Sequence, residues 1–275
     1  MPTDVARSAA TRPALMVLGL LTLAAAWLGV FDWALPGPFS AHMTMHMAVV
    51  AVAAPLLAFG VAGSVADPAR RVPRLFAVVP ASIAELILVW GWHTPALHHA
   101  ARHSSAAFVL EQGSFLLSGL WLWTSAVGGD RRERAGAGIV GLLLTCMHMT
   151  LLGALLALPP RALYDHGAHG AGGAHGAHAT HAGEPVRAGS APTAPAEPAG
   201  DRQVLPRRIT PLADQHLGGA IMIVLGGASY LCGGLWLALG LLRERRVAIG
   251  GVSIGRAPRR VAVVGPGIEP GGREP

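Results

Sequence analysis

The chain has 275 residues, 52% of them hydrophobic and only 13% charged, with mean hydropathy +0.47, whereas a soluble domain carries roughly 25% charge. An ordinary soluble fold is therefore excluded. All 21 basic residues are arginines, and because they cluster beside apolar stretches they are read as orienting the chain in a bilayer, with no role in nucleic-acid binding.

A helix needs about 20 mostly apolar residues to cross a bilayer. Six stretches meet that length: Ala14–Trp33, His42–Gly63, Leu75–Trp92, Ala106–Val127, Ala137–Leu158 and Leu217–Leu242. They are rich in Leu, Ala, Val and Gly and lack the alternation of a barrel strand. The first follows Arg7 and Arg12 and also suits a secretory signal peptide. It shows no small-residue cleavage site before His42, so it is read as a retained helix. The expected fold is all-α, a polytopic transmembrane bundle of about six spans, six to seven in all. Its expected parts are an N-terminus at 1–13, a five-helix part at 14–158, a flexible loop at 159–216, a last helix at 217–242 and a disordered tail at 243–275.

Arginines in the short loops predict orientation. Arg7 and Arg12 precede the first span; Arg70, Arg71 and Arg74 follow the second; Arg131, Arg132 and Arg134 follow the fourth; Arg243, Arg245 and Arg246 follow the sixth. The opposite short loops hold only Arg102, and the long fifth loop is read as crossing despite its own arginines. Both termini are expected in the cytoplasm and the protein in a bacterial inner membrane. The long fifth loop carries HGAHGAGGAHGAHATHAG and then PTAPAEPAG, a composition that buries too little apolar surface to fold alone. Flexible His tracts of this kind bind divalent metals weakly.

This topology gathers histidines at the outward ends of the spans. His42 and His46 lie at i, i+4 in AHMTMHM, on one helix face, with Met45 between them. Imidazole with thioether suits copper, particularly Cu(I); the alternative is that these methionines are packing or lipid-facing side chains. His93, His98, His99 and His103 lie in or beside the loop after the third span, and His216 begins the sixth. The run CMHM places His148 near mid-membrane, where an ionisable residue is a functional candidate by default. His148 and Met149 form the plausible pair there. Cys146 points away as a packed residue, and neither it nor Cys232 has the spacing of a disulfide or redox motif. The expected metal set is His42, Met45, His46, His93, His148, Met149 and His216. Glu85 and Glu111 are read outside it, as groups orienting an imidazole; for Glu85, a protonated carboxyl bonded to a neighbouring helix is the open alternative.

Five blocks, in order, resemble the CtaG-type assembly factors of caa3-type cytochrome c oxidase: AHMTMHMAVVAVAAPLLAFG (Ala41–Gly60), WHTPAL (Trp92–Leu97), LEQGSFLLSGLWLW (Leu110–Trp123), LLGALLALPPRALYD (Leu151–Asp165) and LADQHLGGAIMIVLGG (Leu212–Gly227). The resemblance implies a role in maturing a copper-containing oxidase, with oxidase subunits and possible soluble copper-chaperone partners. Its matching positions are His42, His46, His93 and the Asp214–Gln215 pair. The chain departs from the family in having Gln112 where a His is usual, His216 where a Gln is usual, a longer loop before Asp214, and six apolar stretches where seven spans are often described.

Two other readings compete. A b-type haem protein would use His46 and His148 as axial ligands. A metal permease would need polar residues through to the inner side, where these spans are largely apolar. No nucleophile–base–oxyanion arrangement is present, so an enzyme is not expected.

Overall fold

The computed structural model describes residues 2–129, 131–163 and 209–252. Every regular element among them is helical. Helix α1 (Pro2–Trp27) is followed by a short α2 (Val30–Ala34). Helix α3 runs over Pro38–Val61, α4 over Pro68–Arg71 and α5 over Val78–Trp92. Then come α6 (Pro95–His103), α7 (Ser105–Val127) and α8 (Arg131–Ala157). Helix α9 runs unbroken from Pro211–Ile221 through a π-helical stretch, Met222–Gly226, into Gly227–Val252.

The six expected spans correspond to α1, α3, α5, α7, α8 and α9, with shifted ends. The expected Ala14–Trp33 span breaks at Gly29, which takes φ 74° and turns the chain into α2. The last helix starts at Pro211, where Thr210 caps it, six residues before the expected Leu217. It also continues to Val252, so the first ten residues of the expected tail are helical. The stretch His166–His181, the Pro/Ala segment and the tail beyond Val252 lie outside the described residues.

Among the described residues, three helices are apolar and long enough to cross a membrane: Pro38–Val61, Glu133–Ala157 and Pro211–Arg243. The apolar Thr11–Trp27 and Val78–Trp92 are shorter; 15 residues rise about 22 Å, against a hydrocarbon core of about 30 Å. Helix α7 has the length, but Glu111, Gln112, Ser118, Thr124 and Ser125 dilute its hydropathy. All five are buried, turned inward from the bilayer.

Successive long helices alternate in direction along the chain. Glycine contacts pair α1 with α3 antiparallel, Gly19 meeting Leu57 and Gly60 meeting Met16. Helices α8 and α9 are also antiparallel, and Gly153 and Gly219 let their backbones touch, as small residues do where helices pack inside lipid. Helices α3, α7 and α9 start at one end of the bundle; α1, α5 and α8 start at the other, which carries Arg12, Arg70, Arg71, Arg74 and Arg134.

A π-helical stretch, Ala48–Ala53, lies in the middle of α3. The Ala54 N–H reaches back five residues to the Val49 carbonyl, and Pro55 has no N–H to offer Val50 or Ala51. Neighbouring helices supply the missing donors. The Trp123 indole of α7 donates to the Val50 carbonyl at 3.2 Å, and the Ser229 hydroxyl of α9 donates to the Ala51 carbonyl at 2.6 Å. Inside a membrane such a freed carbonyl must find a protein partner, so Pro55 ties α3 to both neighbours.

Candidate metal centre

The candidate site forms where the first turns of α3 and α7 lie side by side under α6. On α3 the four-residue spacing puts His42 and His46 on one face, and their Nε2 atoms stand 2.9 Å apart. Helix α7 runs parallel to α3 and brings up Glu111. Its Oε1 is 3.3 Å from His42 Nε2 and 3.5 Å from His46 Nε2. All three side chains are buried, with exposures of 1–2%. The three atoms form a triangle that an ion about 2 Å from each, the usual Zn–N or Zn–O length, would fit just outside its plane. Among the described residues this is the one such group of His, Cys, Asp and Glu side chains.

Surrounding side chains hold these ligands in place. The Gln112 amide nitrogen lies 3.1 Å from His46 Nδ1 and 3.3 Å from Glu111 Oε2. Phe115 packs edge-on against the His46 ring, with centroids 4.5 Å apart. His93, at the end of α5, places Nδ1 2.6 Å from the Val89 carbonyl and its ring 6.0 Å from that of His46. Helix α6 brings His98 onto His42, with ring centroids 5.2 Å apart. Burial and then the neighbouring His42 push His98 down to about 3, so its imidazole is neutral.

The second turn of order comes from α9. Gly37 precedes α3 and has no side chain to cap it. The Asp214 carboxylate, from the first turns of α9, accepts the Phe39 and Ser40 N–H groups, both at 2.9 Å. A Cβ on residue 37 would overlap that carboxylate. Gln215 accepts the Leu163 N–H at 2.6 Å and donates to the Leu156 carbonyl at 3.0 Å. The Asp214–Gln215 pair therefore clamps the start of α3 and the end of α8 to α9.

The structure disperses the remaining expected ligands. Met45 is buried on α3. His216, on α9, turns toward the chain just past α8, its Nε2 3.0 Å from the Pro159 carbonyl. His148 is buried deeper, with neither ring nitrogen hydrogen-bonded. Met149 is fully buried against the same face of Gly226 as Met47. Glu85 receives the Tyr230 hydroxyl at 2.6 Å, tying α5 to α9. Sequence reasoning set Glu111 outside the ligand shell, and the structure puts its oxygen against both imidazoles. It named His98 among the outward histidines but left it out of the metal set; the signal for its place over the site was the Thr94-Pro95 helix start, which turns the loop after α5 into a helix.

The family of cytochrome c oxidase caa3 assembly factors (Caa3_CtaG) matches residues 4–244. The chain belongs to that family. No curated protein and no solved structure matches it. The matched range reaches all six long helices, stopping within α9, and takes in the His42–His46–Glu111 cluster and the Asp214–Gln215 clamp. As a caa3 assembly factor the chain is an all-α membrane protein concerned with cytochrome c oxidase assembly, and four of its buried imidazoles, His42, His46, His93 and His98, gather at one end of the bundle.

Proposed function

We propose that this caa3 assembly factor binds copper between His42, His46 and Glu111 and makes it available to the oxidase from the outer side of the inner membrane. The convergence of three buried donor atoms within 4.8 Å of one another is the observation that supports this reading. Two imidazoles and a carboxylate suit copper, zinc and iron alike; the choice of copper rests on the family's link to a copper-containing oxidase. Neutral His98 and His93 lie next to the site, where they would complete or close the coordination sphere. The His46 ring is crowded by His42, His93 and Phe115, which disfavours it as the axial ligand of a b-type haem.

Metal analysis and absorption spectra of the detergent-purified chain test the proposal. The expected result is about one copper per chain, lost in His42→Ala and His46→Ala, with both variants inserted normally and oxidase activity reduced in their membranes. A Soret band, or wild-type copper and oxidase levels in both variants, would overturn it.

A further inference from the structure

At the end of the bundle away from the imidazoles, α1 and α7 stand apart on either side of α3 and leave a cleft of about 700 Å³. Met16 and Leu20 of α1, Leu57 of α3, and Leu117 and Trp121 of α7 line it, and Phe76 from the connection before α5 closes its end. The Trp121 indole donates to the Leu75 carbonyl at 2.9 Å and pins that connection across the cleft. The walls are almost wholly apolar, with Thr124 the polar exception.

The rim is cationic. Arg12 lies one turn before Met16 on the same face of α1, and its Nη2 would stand 3.3 Å from a Cβ on Gly63. Arg70 donates to the Gly63 carbonyl from the other side at 3.4 Å. Two guanidinium groups thus converge on Gly63, two residues beyond Val61 of the cleft wall. Arg74, exposed, directly precedes Leu75. Among the described residues these arginines form no ion pair. The nearby Asp67 carboxylate is occupied by the backbone N–H groups of Gly63, Ala69 and Gly129, at 2.8–3.0 Å.

We propose that this cleft is a selective site for an anionic phospholipid, with one acyl chain along Leu57, Leu117 and Trp121 and the phosphate between Arg12 and Arg70. An apolar slot in a bilayer takes up an acyl chain of any lipid. Selectivity comes from paired guanidinium groups at headgroup level, since basic pockets between membrane helices recognise anionic headgroups, at about five-fold in affinity per arginine. The site is separate from the imidazole cluster and independent of whether that cluster binds copper.

Native mass spectrometry of the full chain in detergent tests this, comparing phosphatidylglycerol with phosphatidylcholine of the same acyl chains. The expected result is phosphatidylglycerol binding about ten-fold or more tighter. Arg12→Gln with Arg70→Gln should bring the two lipids level, and Arg12→Lys with Arg70→Lys should keep most of the preference. Ala66→Trp, at an exposed position of the cleft wall, should weaken both lipids. An unchanged thermal midpoint shows that each variant is folded. Equal binding of the two lipids by the wild type would overturn the proposal. So would a preference that survives the double Gln variant, lipid binding indifferent to Ala66→Trp, or a bound protein that phosphatidylglycerol does not displace.

Discussion

Glu111 is the residue whose role the geometry and the sequence divide most sharply. A carboxylate that only orients an imidazole contacts one ring N–H, whereas Glu111 Oε1 approaches both Nε2 atoms, as a ligand of the same ion would. Glu111→Gln is therefore expected to lower copper affinity as far as His46→Ala does, about 100-fold or more, as isothermal titration of the purified variant would measure. A loss of about ten-fold would return Glu111 to a supporting role. His42 and His46 are legible from their four-residue spacing. Glu111 is not, because its position depends on α7 running parallel to α3 in one register. Gly119 sets that register against Val50 and Ala54. In a membrane helix the lipid-facing and core-facing sides are both apolar, so hydrophobic periodicity does not mark such a contact.

At the scale of elements, α3 is the helix on which the site depends, and it is secured twice from outside. Its start is capped by Asp214, and its middle is held through the carbonyls that Pro55 leaves open. Asp214→Ala leaves two buried N–H groups without their acceptor and should cost about 2–4 kcal/mol. The checks are a lower thermal midpoint in detergent and weaker metal binding at a cluster it does not touch. Asp214→Asn keeps one acceptor and should lose less. Metal affinity that holds while stability falls would show that the cap and the site are uncoupled. The helices themselves are legible in the sequence from hydropathy, but their ends are not. The break at Gly29, the early start at Pro211 and the helix over Pro95–His103 follow from caps and turns, which hydropathy does not register.

Across the whole molecule, the alternation of helix direction places Arg12, Arg70, Arg71, Arg74 and Arg134 together, away from the imidazoles, and leaves Arg102 and Arg161 on the imidazole side. With the larger group retained in the cytoplasm, reporters fused after Arg132 or Arg246 are expected to read cytoplasmic, and one placed in Ala188–Gly200 to read the outer side. A cytoplasmic signal from Ala188–Gly200 would put the imidazoles on the wrong side for delivery to an oxidase from outside.

The clamp from α9 has a further consequence for how many pieces this protein needs to be. Asp214 reaches α3, Gln215 reaches the end of α8, Ser229 reaches the middle of α3 and Tyr230 reaches α5. All four grips are made by residues on the far side of 164–208 from their targets. Helices already inserted in a bilayer associate through side-by-side packing of this kind without needing a covalent join. Coexpressed as two polypeptides, 1–163 and 209–275, the halves should copurify and support oxidase assembly, and Asp214→Ala in the short half should weaken their pairing. On that view α9 acts as a docked subunit that happens to share a gene with its receptor, and a longer or differently composed peptide between them is expected to leave the His42–His46–Glu111 cluster undisturbed.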